Sequence, residues 1–110
     1  MRFRVELSKP AEADLDQLLA SLRVRSPRAA ERLACGFWKA LAALHSHPFP
    51  CGLAYESPDF SEDLRHRLFW INAKRKYRAL FVVRGEVVHV ASIRAPGEKP
   101  VRPGDIELQF

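Results

Sequence analysis

The sequence predicts an α+β domain: an N-terminal α-helical hairpin packed on one face of a twisted antiparallel β-sheet, in the order β-α-α-β-β-β. Three observations predict it. Between Ser8 and Pro48 apolar residues recur at helical spacing, interrupted once at Arg25-Ser26-Pro27. Residues 64–94 hold three short runs rich in aromatic and β-branched residues, divided by polar or Gly-containing breaks, the pattern of antiparallel strands. The 110 residues suffice for one core of two packed layers, so a single domain over 1–110 is expected.

The elements follow in order. Phe3, Val5 and Leu7 alternate with Arg2, Arg4 and Glu6, a half-buried first strand. Ser8 is placed to cap a helix whose first turn holds Pro10, where a missing N–H does little harm. Ala11, Leu15, Leu18, Leu19 and Leu22 then form one apolar stripe. Ser26 and Pro27 repeat the start signal, and the second helix carries Ala30, Leu33, Ala34, Phe37, Leu41 and Leu44 on its stripe. A connection of three or four residues makes the two helices an αα-hairpin. Their stripes need the sheet's apolar surface, since burying each Leu or Phe is worth roughly 1.5–3 kcal/mol. From Pro48 to Asp63 the chain has no periodicity and reads as a surface loop. Leu64 to Trp70, Tyr77 to Val83 and Val87 to Arg94 are the three strands. After Arg94 comes a breaker run, Ala95-Pro96-Gly97-Glu98-Lys99-Pro100, and Ile106, Leu108 and Phe110 then alternate as either an edge strand or a tail.

Composition narrows the class. The apolar fraction of 47% and charged fraction of 28% are those of a globular domain. No apolar run nears the roughly 20 residues of a membrane span, and no secretory h-region opens the chain, so the cytoplasm is the expected location. Cys35 and Cys51 have no CxxC spacing, and a metal site is not expected. The net charge of +5 is uneven: residues 1–63 carry eight Lys/Arg against nine Asp/Glu, residues 64–110 ten against four. Basic charge confined to the sheet half suits an anionic target such as nucleic acid or an acidic protein segment. A basic face kept for solubility is the alternative.

Successive side chains on a strand alternate faces, so Arg65 and Arg67 share one and Leu64, His66, Leu68 and Trp70 take the other. Two adjacent guanidiniums repel each other and suit an anionic partner. The open face of the sheet is therefore expected to be concave and basic. Lys74-Arg75-Lys76 stands in a hairpin break and reads as a solvated turn or a nucleic-acid contact. Tyr77 reads as a packed strand residue, Trp38 and Trp70 as core or rim aromatics, with Trp38 marking an oligomer or partner surface. His45 and His47 suit the negative end of the second helix and are weak as a metal site.

Within this order stand Pro10-Ala11-Glu12-Ala13-Asp14-Leu15, Ser26-Pro27-Arg28-Ala29-Ala30-Glu31-Arg32, Leu64-Arg65, Tyr77-Arg78 and Ser92-Ile93-Arg94. The ordered set resembles the ParE/RelE superfamily of toxins from bacterial type II toxin–antitoxin (plasmid stabilisation) modules, over about residues 3 to 95. Residues 95–110 read as a C-terminal extension. The resemblance implies a small growth inhibitor, without cofactor, neutralised by a cognate antitoxin whose disordered C-terminal segment wraps it. RelE-like members cut messenger RNA in the ribosomal decoding site. ParE-like members poison DNA gyrase with no known catalytic reaction of their own.

By that resemblance Arg65 and Arg67 occupy the family's first basic strand positions, Arg78 the arginine of its Tyr-Arg strand, and Arg94 the basic residue ending the last strand. They are the catalytic candidates of a nuclease, where cations offset charge on a phosphorane. With Lys74, Arg75 and Lys76 they are equally the target-binding candidates. The structural alternative for Arg65, Arg78 and Arg94 is to hold the upstream loop carboxylates Asp59, Glu62 and Asp63. Where several nuclease members carry a histidine or tyrosine for proton transfer, this chain has Ala95, Pro96 and Gly97. His66 and His89 are the remaining proton donors, and His66 faces away from Arg65 and Arg67. The expectation is therefore a ParE-like, non-enzymatic toxin. A RelE-like endoribonuclease and a degenerate toxin kept only to bind its antitoxin are the alternatives.

Overall fold

The protein, as a computed structural model, is described over residues 2–72, 74–106 and 108. Strand β1 (Arg4–Leu7) ends at Ser8, whose hydroxyl accepts from the Ala11 N–H at 3.1 Å and donates to the Ala91 carbonyl at 3.2 Å. One residue thus caps helix α1 (Lys9–Arg25) and fastens it to the sheet. Asp14 on the same helix accepts from the Ser92 hydroxyl and the Ile93 N–H, a second fastening.

Helix α2 (Pro27–Ser46) follows after Ser26 alone, so the connection expected to span three or four residues is one residue long. Ser26 ends the first helix with its N–H on Leu22 O and starts the second with its hydroxyl on the Ala29 N–H. Pro27 at the first helical position needs no donor partner, which permits so tight a junction. The helix ends at His47, before Pro48, and His45 Nδ1 lies 2.8 Å from Phe3 O at the base of β1.

The three later strands, β2 (Arg65–Asn72), β3 (Arg75–Arg84) and β4 (Val87–Arg94), form the expected antiparallel meander. Sheet order is β1-β4-β3-β2, and β1 joins β4 in parallel, so the α+β fold carries a mixed sheet. The meander leaves edges only at β2 and β4, and the helix pair is the long crossover that a parallel neighbour requires.

The main core lies between helices and sheet. Phe37, Leu33 and Leu44 of α2 meet Phe69, Tyr77, Phe81 and Val90, and Phe69 packs edge-on to Phe37 and stacks on Tyr77. Gly36 lets α2 approach edge strand β2: a Cβ there would lie 3.4 Å from Trp70 O.

The other sheet face is not the bare basic concavity expected. Leu80 and Val82 point to it and, with Ala54, Leu64 and Val101, make a second apolar cluster. Two segments cover that cluster. The stretch from Pro48 to Asp63, expected as a surface loop, buries Cys51, Ala54, Glu56 and Ser57 and forms a 3-10 turn at Ser57–Asp59. The other cover is residues 95–106 with Leu108, through Val101 and the partly buried Ile106 and Leu108. The physical reason is that β3 is apolar on both sides and needs two covers. The alternation beginning at Asp105 falls partly outside the described residues; Asp105, Ile106 and Leu108 are in no strand. No helix among the described residues is long and apolar enough to cross a membrane.

Candidate target-binding site

The four strand arginines do not converge. Phe69 of β2 belongs to the main core, so by alternation Arg65 and Arg67 project to the helix side. Leu80 and Val82 of β3 belong to the second cluster, so Arg78 projects to the opposite side, and Arg94 pairs with it in register. Leu68 and Trp70, expected on the face away from Arg65 and Arg67, are there and exposed, cross-strand from Arg78 and Lys76.

Arg78 is committed to structure. Its two terminal nitrogens each reach the carboxylate of Glu56 at 2.7 Å, and its guanidinium lies 4.5 Å over the Tyr55 ring. The side chains are 13% and 1% exposed, so the pair is desolvated and its geometry is held bidentate. Burial would push the Glu56 carboxyl up, but the hydrogen bonds from Arg78 and from the Val101 N–H outweigh it and leave the group below its usual range. The Arg78 guanidinium is correspondingly raised, chiefly by the bond to Glu56.

Arg94 donates to Lys99 O at 2.7 Å and pairs with Glu98 at 2.9 Å. Arg84 holds Glu62 at 2.7 Å, and Asp63 stands 3.8 Å from Arg65. Arg65 itself donates to Phe49 O and Cys51 O and stacks on the Phe49 ring, tying down the start of the loop. Of the three carboxylates expected to hold these arginines, only Asp63 meets one of them among the described residues, while Glu62 pairs with Arg84 instead.

Arg67 differs. Its buried Nε has no hydrogen-bond partner among the described residues. It lines a groove of about 430 Å³ between α2 and β2, together with Arg32, Cys35, Gly36 and Lys39 of the helix. None of Arg32, Lys39 and Arg67 forms an ion pair among the described residues, so three cations face one groove without a counter-charge. Trp38 and Trp70, the expected core or rim aromatics, are 63% and 53% exposed. Lys74, Arg75 and Lys76 are exposed at the β2–β3 turn, where Asn72 Oδ1 accepts from the Lys74 N–H.

Ala95, Pro96 and Gly97 follow Arg94 with no histidine or tyrosine, and the carboxylate beside it, Glu98, is its ion-pair partner. The His66 imidazole is pushed down by burial and then by the Arg78 charge, so it is neutral at ordinary pH. No group of three or more His, Cys, Asp or Glu among the described residues is placed to hold a metal.

Two kinds of residue escape sequence reasoning. Glu56 lies in a breaker-rich loop with no periodicity to flag burial. Arg32 and Lys39 are seven apart on α2, the spacing that puts both on one helix face, and that signal was present.

The architecture has a counterpart among solved structures. The chain is similar to one described as the chromosomal ParDE TA system from P. aeruginosa, with a TM-score of 0.67 and 19% identity. The match covers 86% of this chain and 96% of that one. No known family profile matches the sequence, and no curated protein does. At that identity the likeness is one of fold: the β-α-α-β-β-β arrangement here is ParE-like.

Proposed function

We propose that the chain is the toxin of a type II toxin–antitoxin module, a growth inhibitor that acts in the ParE-like manner by poisoning DNA gyrase without a covalent step of its own. The observation that carries this reading is the commitment of Arg78 to Glu56 and of Arg94 to Glu98 and Lys99 O. A RelE-like site needs free, preorganised cations around one phosphate. Here the strand arginines stand on opposite faces, and two of the four are tied to carboxylates within 3 Å. The ParE-like fold supports the same side of the choice.

A cognate antitoxin segment fits the α2–β2 groove. An extended or helical tail with carboxylates meets Arg32, Lys39 and Arg67 there, and its apolar residues meet Leu68 and Trp70. One observation favours the endoribonuclease as a second reading: Arg67 and the Lys74–Lys76 run remain available to an RNA backbone.

Induction in a bacterial host, with and without the adjoining upstream reading frame, tests the proposal. Growth arrest relieved by the neighbouring product is the expected result. Unchanged growth at high levels of soluble protein contradicts it.

A further inference from the structure

The cations of this chain divide into two kinds. Arg65, Arg78, Arg84 and Arg94 of the strands are each held by a carbonyl or a carboxylate. The side chains of Arg32, Lys39 and Arg67 hold no hydrogen bond, ion pair or ring contact among the described residues, and all three line the groove between α2 and β2. No carboxylate lines it with them. Three like charges gathered at one hollow repel one another, and an anion that meets all three offsets that repulsion.

The placement narrows the anion. Arg32 and Lys39 stand seven residues apart on α2, two turns or about 10 Å along its axis. Gly36 between them adds no side chain to the groove floor, and Arg67 comes from the strand opposite. The cations converge from two walls instead of following a line, so they fit a compact anion with several charges. Arginine forks match phosphate oxygens two at a time, and lysine binds phosphate as a point charge. The volume of about 430 Å³ is that of a small-molecule site.

We propose that the α2–β2 groove binds clustered phosphates, a tri- or longer oligophosphate, free or carried by a nucleoside, through Arg32, Lys39 and Arg67. The anion then competes with the carboxylates of an antitoxin tail for the same cations. That competition rests on the toxin reading above; the binding itself does not.

Titration calorimetry on the full chain at about 0.15 M salt, with inorganic tripolyphosphate, ATP, adenosine and orthophosphate, tests the binding. Tripolyphosphate should bind at least about tenfold more tightly than orthophosphate. Arg32→Ala, Lys39→Ala and Arg67→Ala should each weaken it about tenfold or more. Arg23→Ala, an exposed cation at the end of α1, should leave it unchanged. Bound tripolyphosphate should also slow alkylation of the exposed groove thiol Cys35, with the buried Cys51 as the internal comparison. ATP tighter than tripolyphosphate assigns the phosphates to a nucleotide, and ATP equal or weaker assigns them to a free oligophosphate. No saturable binding, an equal loss in Arg23→Ala, or unchanged Cys35 alkylation at saturation would overturn the proposal. So would adenosine binding as tightly as ATP. A single-stranded oligonucleotide that binds more tightly than either phosphate probe, and is lost in the same variants, would give the groove to a nucleic acid instead. Tripolyphosphate should weaken binding of the product of the upstream reading frame, and unchanged affinity would overturn the competition. If that product does not bind at all, the toxin reading fails and the calorimetry alone judges the groove.

Discussion

Glu56 takes both terminal nitrogens of Arg78 at 2.7 Å from a position 3% exposed, and so joins the loop before β2 to the middle of the sheet. The same carboxylate holds the Val101 N–H. Three chain segments therefore meet at one buried anion, and the arginine that the family resemblance marks as functional is its counter-ion.

Breaking this pair by removing one partner leaves an uncompensated buried charge. Glu56→Ala and Arg78→Ala are each expected to cost about 3–5 kcal/mol in urea unfolding. The double variant should cost clearly less than the two together, because it leaves neither charge behind. Additive losses would show that the two side chains act independently.

Stability should fall as the solution is acidified through two windows. The His66 imidazole is held below its ordinary value near 6.5, first by burial and then by Arg78. A group depressed in the folded state gives its full stability above the unfolded value and loses it as pH drops through the folded one. Melting temperature is thus expected to decline below about pH 6.5, and His66→Leu to flatten that decline. His89 is depressed as well, by burial first, so part of the slope should remain. Glu56 adds a second loss below about pH 4.3 by the same sign. A melting temperature constant from pH 7.5 to 5.5 would contradict the His66 assignment.

Gly36 has room for a methyl group at contact distance from β2. Its added Cβ would approach Trp70 O to 3.4 Å and Phe69 Cβ to 3.9 Å. Gly36→Ala should be neutral or stabilising by up to about 1 kcal/mol through helix propensity. Gly36→Leu should lose about 1–3 kcal/mol by overpacking against β2. Thermal unfolding of the two variants checks both signs.

The α2–β2 groove makes its own prediction. Trp70→Ala and Arg67→Ala should each weaken antitoxin binding by about 2 kcal/mol if they are its anchors. Trp70 is largely exposed, so its loss should change stability by no more than about 0.5 kcal/mol. Titration calorimetry with the antitoxin separates these effects, and unaltered affinity in both variants would move the docking site elsewhere.

The helix pair and the meander were legible because their periods are long and their breakers sharp: Ser26-Pro27 marks both a stop and a start. The facing of Arg65 and Arg67 was not. Leu68, Phe69 and Trp70 are all apolar, so alternation fixes which residues share a face but not which face meets the core; the contact of Phe69 with Phe37 decides it. The second core had a signal, the unbroken run Ala79-Leu80-Phe81-Val82-Val83, which marks a strand buried on both sides. What covers that side follows from tertiary contacts of Ala54 and Val101, residues that carry no local pattern. Glu56 was unreadable for the same reason: a lone carboxylate in a loop gives no sign that Arg78 will desolvate it.

The measurement that tests the central claim most directly is a gyrase supercoiling and cleavage assay run beside primer extension on translating ribosomes, with the same purified chain. A gyrase poison whose strand arginines are structural should trap gyrase on DNA in cleavage complexes and leave translated messages uncut. Codon-phased cuts in the message, with gyrase unaffected, would contradict the account.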